Sequence, residues 1–153
     1  MLPESEFLIR ILVAAIVGLA IGFTRRRKAA GVRTFGIICL GCAIFTMISL
    51  RDDFQTGTAD PSRIVSQIVT GIGFLGLGVI WHNSKNEGKP MGLTTAATVW
   101  TTAAIGVLVG LGSWTEAFSA ALVTMGIVYY KEDEHKQRAK KDKSKQQDML
   151  EEM

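Results

Sequence analysis

Five apolar runs of 17 to 19 residues follow one another between Phe7 and Tyr130, and they carry almost no charge. That is the length an α-helix needs to cross a hydrocarbon core about 30 Å thick. Phe7–Phe23 contains only Arg10 and Trp114–Tyr130 only Glu116, while Thr34–Leu50, Ile64–Trp81 and Leu93–Leu111 contain no charge at all. Membrane strands would alternate over about ten residues between turns; these runs are longer and apolar on every face. The expected fold class is therefore all-α, an integral membrane bundle with spans at about 7–23, 34–50, 64–81, 93–111 and 114–130.

Charge placement supports the same reading. Of 31 formal charges, 14 lie in residues 131–153, and the other 17 fall mostly in short clusters between the runs. The first 130 residues cannot supply the charged surface of a soluble domain. This excludes a soluble enzyme domain, a disulfide-stapled secreted module and a disordered chain. The expected organisation is a five-span membrane domain, 1–130, followed by a charged cytoplasmic tail, 131–153. The tail has Glu132/Lys136 and Glu134/Arg138 at i,i+4 and reads as a solvated helix extending the last span. The first run is not a cleaved signal: the acidic stretch Glu4-Ser5-Glu6 precedes it and the basic cluster follows it.

Lysine and arginine bias sets the orientation. Loop 24–33 carries Arg25, Arg26, Arg27, Lys28 and Arg33 with no acid, loop 82–92 carries Lys85 and Lys89 against Glu87, and the tail has seven basic residues. The opposite side holds the acidic start, Asp52, Asp53 and Asp60, and the turn near Gly112. The N-terminus is expected outside and the C-terminus in the cytoplasm. The net charge of +3 is then a topology signal, and no nucleic-acid partner is expected.

Local signals mark helix ends. Asp60-Pro61-Ser62-Arg63 reads as an N-cap followed by a proline at the first helical position. Ser113-Trp114-Thr115-Glu116 fits a capping box, making a hairpin of the last two spans about Gly112. Trp81, Trp114, Tyr129 and Tyr130 stand at span ends, where amphipathic rings prefer the headgroup layer.

Several motifs admit a chemical reading and a plainer one. Gly71-Ile72-Gly73-Phe74-Leu75-Gly76 matches G-x-G-x-x-G, but a nucleotide site needs a strand before it. Inside an apolar run, Gly71, Gly73 and Gly76 instead suit close helix contact, between spans or between subunits, as do Gly18/Gly22 and Gly106/Gly110. Cys39 and Cys42 are the only cysteines and sit mid-span, so they read as small buried side chains. No acid or histidine occupies a central span position, which disfavours coupled cation transport. Arg10 is expected to snorkel to the outer interface, or otherwise to pair inward with Asp60 or Gln67. Thr94, Thr98 and Thr101 share a helical face, with Thr95 and Thr102 beside it; this face is expected to look into the bundle, onto a hydrated groove. No Ser–His–acid set, two-metal carboxylate cluster or phosphate loop is present in the sequence, so no catalytic role, cofactor or metal is expected.

Four blocks between Ile11 and Gly112, about two-thirds of the chain, resemble the MgtC/SapB family of bacterial and archaeal inner-membrane proteins. They are Gly18–Gly22 with the basic stretch to Gly31-Val32-Arg33-Thr34; Asp60-Pro61-Ser62-Arg63-Ile64 leading into Gln67–Gly76; Gly92-Leu93-Thr94-Thr95-Ala96-Ala97-Thr98; and Ile105–Gly112. The resemblance implies acclimation to low magnesium. For virulence-associated members it also implies intracellular survival and effects on ATP synthase and membrane potential. Its family-like polar positions here are Arg33, Thr34, Asp60, Arg63, Gln67, Thr94, Thr95 and Thr98.

Two departures matter. Thr24 stands where the family's I-G-x-E-R pattern has an acid, and 131–153 is too short for the soluble domain of the virulence-type members. A short SapB-like branch is expected. The implied role is non-enzymatic: Arg33, Arg63, Gln67 and the Thr94–Thr98 face form one polar cluster whose packing is biased by a partner membrane protein, such as an ATP synthase or a transporter, or by an ion. A homo-oligomer, most simply a dimer, is expected through the glycine faces. The alternatives are a transporter or channel in its own right and a scaffold subunit that needs the tail.

Overall fold

A computed structural model describes residues 3–25, 30–51, 60, 62–84 and 91–130. The described residues form helices and turns and contain no strand. The helices are α1 (Glu4–Thr24), α2 (Val32–Ser49), α3 (Ser62–Ser84), α4 (Leu93–Leu111) and α5 (114–130). Four of them, α1 to α4, are long and apolar enough to cross a membrane. The described part of α5 runs for 17 residues. The tail 131–153 and most of the loop charges used to orient the chain lie outside the described residues.

Helix ends form where local chemistry allows. Pro3 precedes α1, its carbonyl accepts from the N–H groups of Glu6 and Phe7, and Glu4 and Glu6 place negative charge in the first turn, against the positive end of the helix dipole. Asp60 caps α3 as its side-chain chemistry predicts, accepting the Ser62 N–H at 2.9 Å on Oδ1. At the end of α4, Gly112 adopts φ +80°, a left-handed conformation that glycine enters without steric cost. The Ser113 N–H then reaches the Leu108 carbonyl and the Gly112 N–H the Val109 carbonyl, both at 3.0 Å, which is a Schellman ending. The Ser113 carbonyl in turn accepts the Ala117 N–H and opens α5, so the turn expected at Gly112 is present.

The core is organised around α2, which packs against both α1 and α4. Four glycines make these contacts close. A Cβ on Gly18 would lie 2.6 Å from the Phe35 carbonyl oxygen, and one on Gly22 would lie 2.7 Å from Val32 Cα. From α4, a Cβ on Gly106 would lie 2.4 Å from the Cys39 carbonyl oxygen, and one on Gly110 would lie 2.6 Å from Thr46 Cβ. The two sets clamp α2 from both sides. Cys39 and Cys42 are free, buried thiols that fill this contact as small side chains.

The outer surface is a lipid-facing one. Leu12, Ile16, Phe23, Ile37, Phe45 and Leu122 are all exposed, an apolar area far beyond that of a water-soluble monomer. The helix with least cover is α3, which packs on α4 and more sparsely on α2. Only 6% of its span is buried, against 33–50% for the other three. Gly71 and Gly73 meet nothing within 4 Å, and Gly76 meets only Ala96, at 3.7 Å. Gly71 and Gly73 therefore do not pack between spans of one chain, in contrast to the glycines of α1 and α4.

Candidate functional site

Two buried arginines tie α1 to the two ends of α4. Arg10, 6% exposed, donates to the Gly110 carbonyl and to the Glu6 carboxylate. The carbonyls of the last turn of a helix lack partners within it and form its negative end. Arg10 thus caps α4, and the absence of a side chain at Gly112 makes room: a Cβ there would lie 2.6 Å from an Arg10 terminal nitrogen. Of the two expectations for Arg10, surface snorkelling is not what occurs. It turns inward, yet its partners are Glu6 and the end of α4, not Asp60 or Gln67.

At the other end of the bundle, Arg25 is 7% exposed and donates to the Thr95 hydroxyl in the first turn of α4. Sequence reasoning counted Arg25 only as one of a run of topology-setting cations. Four basic residues in succession carry no signal that says which one turns inward.

Thr98, Thr101 and Thr102 of α4 satisfy their hydroxyls within their own helix. Thr98 donates to the Thr94 carbonyl at 2.6 Å, Thr102 to the Thr98 carbonyl at 2.8 Å and Thr101 to the Ala97 carbonyl at 2.9 Å. This return of a bond to the preceding turn removes the cost of a hydroxyl in an apolar interior. Thr95, Thr98 and Thr102 are buried, so the face looks into the bundle as its spacing predicted. Further along the same helix, Gly106 and Gly110 make the close contact with α2. Across that contact, Thr46 and Ser49 of α2 likewise donate to their own helix, at 2.8 and 2.7 Å.

The eight polar positions separate into two groups. Asp60, Arg63 and Gln67 stand exposed on the first turns of α3. Hydrogen bonds from the Ser62 hydroxyl and backbone N–H, with the Arg63 guanidinium nearby, hold the Asp60 carboxyl below its ordinary value. Consecutive spans joined by a short connection run antiparallel, and Gly76 is level with Ala96. At 1.5 Å per residue, Arg63 then lies about 20 Å along the axis from the first turns of α4. Arg33 and Thr34 are exposed at the start of α2, while Thr95 and Thr98 are buried near the start of α4 with Thr94 half-buried beside them. The single cluster expected of Arg33, Arg63, Gln67 and Thr94–Thr98 is therefore two sites, because the antiparallel path of α3 carries Arg63 and Gln67 away from the first turns of α4.

An apolar groove of about 630 Å³ opens between α1 and α2, lined by Phe7, Leu8, Ile44 and Ile48, with Glu4 and Arg51 also in its wall. Its walls match the lipid-facing surface around it. Among the described residues, no three His, Cys, Asp or Glu side chains come together.

The amino-acid sequence has known relatives. The MgtC family model matches residues 11–137. The chain belongs to the MgtC family. It is 40% identical over 126 residues to Protein SrpB of Synechococcus elongatus, covering 74% of this chain and 69% of that one. It is 41% identical over 128 residues to "Putative magnesium transporter YhiD" of Escherichia coli, covering 79% of this chain and 58% of the relative. To Protein MgtC of Salmonella typhimurium it is 40% identical over 121 residues, 78% of this chain and 49% of the relative. The chain thus spans about half to two-thirds of the length of these relatives. No solved structure matches it. This MgtC-family membership, with four helices able to span a bilayer, makes it a multi-pass membrane protein.

One comparison separates the hydroxyls of α4. Thr95→Val removes an acceptor of the buried Arg25 guanidinium and is expected to cost about 1–3 kcal/mol. Thr98→Val removes a hydroxyl that only returns a bond to its own helix, and is expected to cost under about 1 kcal/mol. Thermal unfolding in detergent orders the two variants, and equal losses would contradict this assignment.

Proposed function

We propose that this MgtC-family protein is a non-enzymatic regulator of the prokaryotic inner membrane, serving acclimation to low magnesium and membrane-potential homeostasis by modulating a partner membrane protein. The partner class that the family points to is an ATP synthase or a transporter. The accompanying topology is five spans, with α5 as the fifth, the N-terminus outside and the C-terminus in the cytoplasm. The observation that carries this reading is the inner face of α4. Thr98 and Thr102 are buried there and return their hydroxyls to their own helix, while Gly106 and Gly110 further along α4 close tightly against α2. Such a face supports a fixed packing that a partner can bias, and gives little support to a path for a hydrated ion.

Transport in its own right is the second reading, favoured by the printed name of the Escherichia coli relative. Growth in low magnesium distinguishes the two. In cells lacking the chain, the wild-type protein is expected to restore growth and shift the membrane potential, and Thr98→Val is expected to do so equally well. Loss of rescue by a correctly inserted Thr98→Val protein would favour the transport reading.

A further inference from the structure

The outward face of α3 carries an exposed amide and open glycine positions, a chemistry poorly suited to lipid. Gln67, Gly71, Phe74, Gly78 and Trp81 follow at intervals of four, three, four and three residues, the spacing of a seam between two helices that cross at a shallow angle. Phe74 and Trp81 are 73% and 69% exposed, and a Cβ at Gly71 or Gly78 would meet nothing within 4 Å. Bulky side chains thus alternate with open glycine positions along one line, as knobs alternate with holes.

The polar end of this seam identifies what covers it. Ser66 and Thr70 beside it return their hydroxyl bonds to the Arg63 and Ser66 carbonyls. The Gln67 side chain makes no hydrogen bond to any described residue. It stands five residues into α3, about 7 Å along the axis, where a bare amide facing hydrocarbon is costly. An amide carries both donors and an acceptor, so it is complementary to a second copy of itself. One turn nearer the surface, Asp60 and Arg63 offer opposite charges on the same side of the helix. Every copy inserts with the same orientation, so two α3 helices meet parallel. A twofold axis along the membrane normal then sets Gln67 against Gln67 and each Asp60 near the other copy's Arg63, a closed and self-complementary arrangement.

We propose that the Gln67–Gly71–Phe74–Gly78–Trp81 face of α3 is the interface through which two copies of this chain form a parallel twofold dimer. The interface stands independently of the regulatory role above and is tested without reference to magnesium.

The test is fluorescence energy transfer between labelled copies of the full chain in bilayers, across a range of protein-to-lipid ratios. The wild type is expected to dimerise, Gln67→Leu to weaken the dimer by about tenfold, and Gly71→Leu with Gly78→Leu to abolish it. Because the two glycine positions are open within one chain, helicity is expected to hold and detergent melting of the glycine variants not to fall, since a helical glycine is replaced, which separates lost association from lost folding. As a second readout, Phe74→Cys is expected to cross-link between copies on oxidation, while Leu122→Cys, equally exposed on α5, is not. A wild-type chain that stays monomeric overturns the proposal and leaves the face to a different membrane protein. A dimer indifferent to Gln67→Leu and to the glycine substitutions overturns it in favour of another surface.

Discussion

Gly106→Val is expected to abolish the folded bundle. The added Cβ alone would stand 2.4 Å from the Cys39 carbonyl oxygen and 2.9 Å from Cys42 Cβ, and two further methyl groups would follow it. The nearest atom is backbone of the central helix, so relief requires α2 and α4 to separate. Overpacking a well-filled core costs about 1–3 kcal/mol when side chains can adjust, and more where backbone must move. Separation would also expose Thr46 and Thr102, both now fully buried, and break the contact with Gly110 one turn along. The expected result is loss of the monodisperse peak in detergent and rapid degradation in the membrane. Gly73→Ala is the matched control. Its Cβ enters open space on α3, so replacing a helical glycine is expected to stabilise by about 0.5–1 kcal/mol. If both variants melted alike, the α2-centred packing would be wrong.

Arg10→Met is the second large effect. The thioether keeps much of the aliphatic volume but leaves the Gly110 carbonyl and the Glu6 carboxylate without their donor. Removing a charged partner from a buried hydrogen bond costs about 1.5–3 kcal/mol, and the Gly110 carbonyl is the more sheltered of the two acceptors. Glu6 is partly exposed and can turn to water, so Glu6→Gln is expected to cost under about 1 kcal/mol. The loss should be local: proteolysis or hydrogen exchange is expected to open the end of α4 and the Gly112 turn while the α1–α2 contact holds. A surface-snorkelling arginine would give no such opening.

The approximate extent of α1 to α4 was legible because hydrocarbon thickness imposes a length that charge-free runs display directly. Caps were legible where one residue carries the chemistry, as at Asp60 and Gly112. Which faces meet was much less so. Glycines in apolar runs leave no room for a Cβ at Gly106, where one would stand 2.4 Å from a backbone oxygen, and open space at Gly71, since packing depends on what lies opposite. A usable signal did exist in α3: Gly71 and Gly78 are seven residues apart and share a face, while Gly76 projects from the other side toward Ala96. Arg25 gave no such signal among its basic neighbours. Its partner Thr95 lies 70 residues away, and only the tertiary fold selects it.

Regulation by packing, without a conduit, is the central claim. It is tested most directly by ion flux and membrane potential in proteoliposomes containing only this protein, with magnesium, potassium and protons each examined with and without an imposed potential. A folded, correctly inserted protein is predicted to give no flux above empty vesicles. Flux that disappears on Thr98→Leu or Thr102→Leu, with helicity retained, would contradict it and make the α4 face a path.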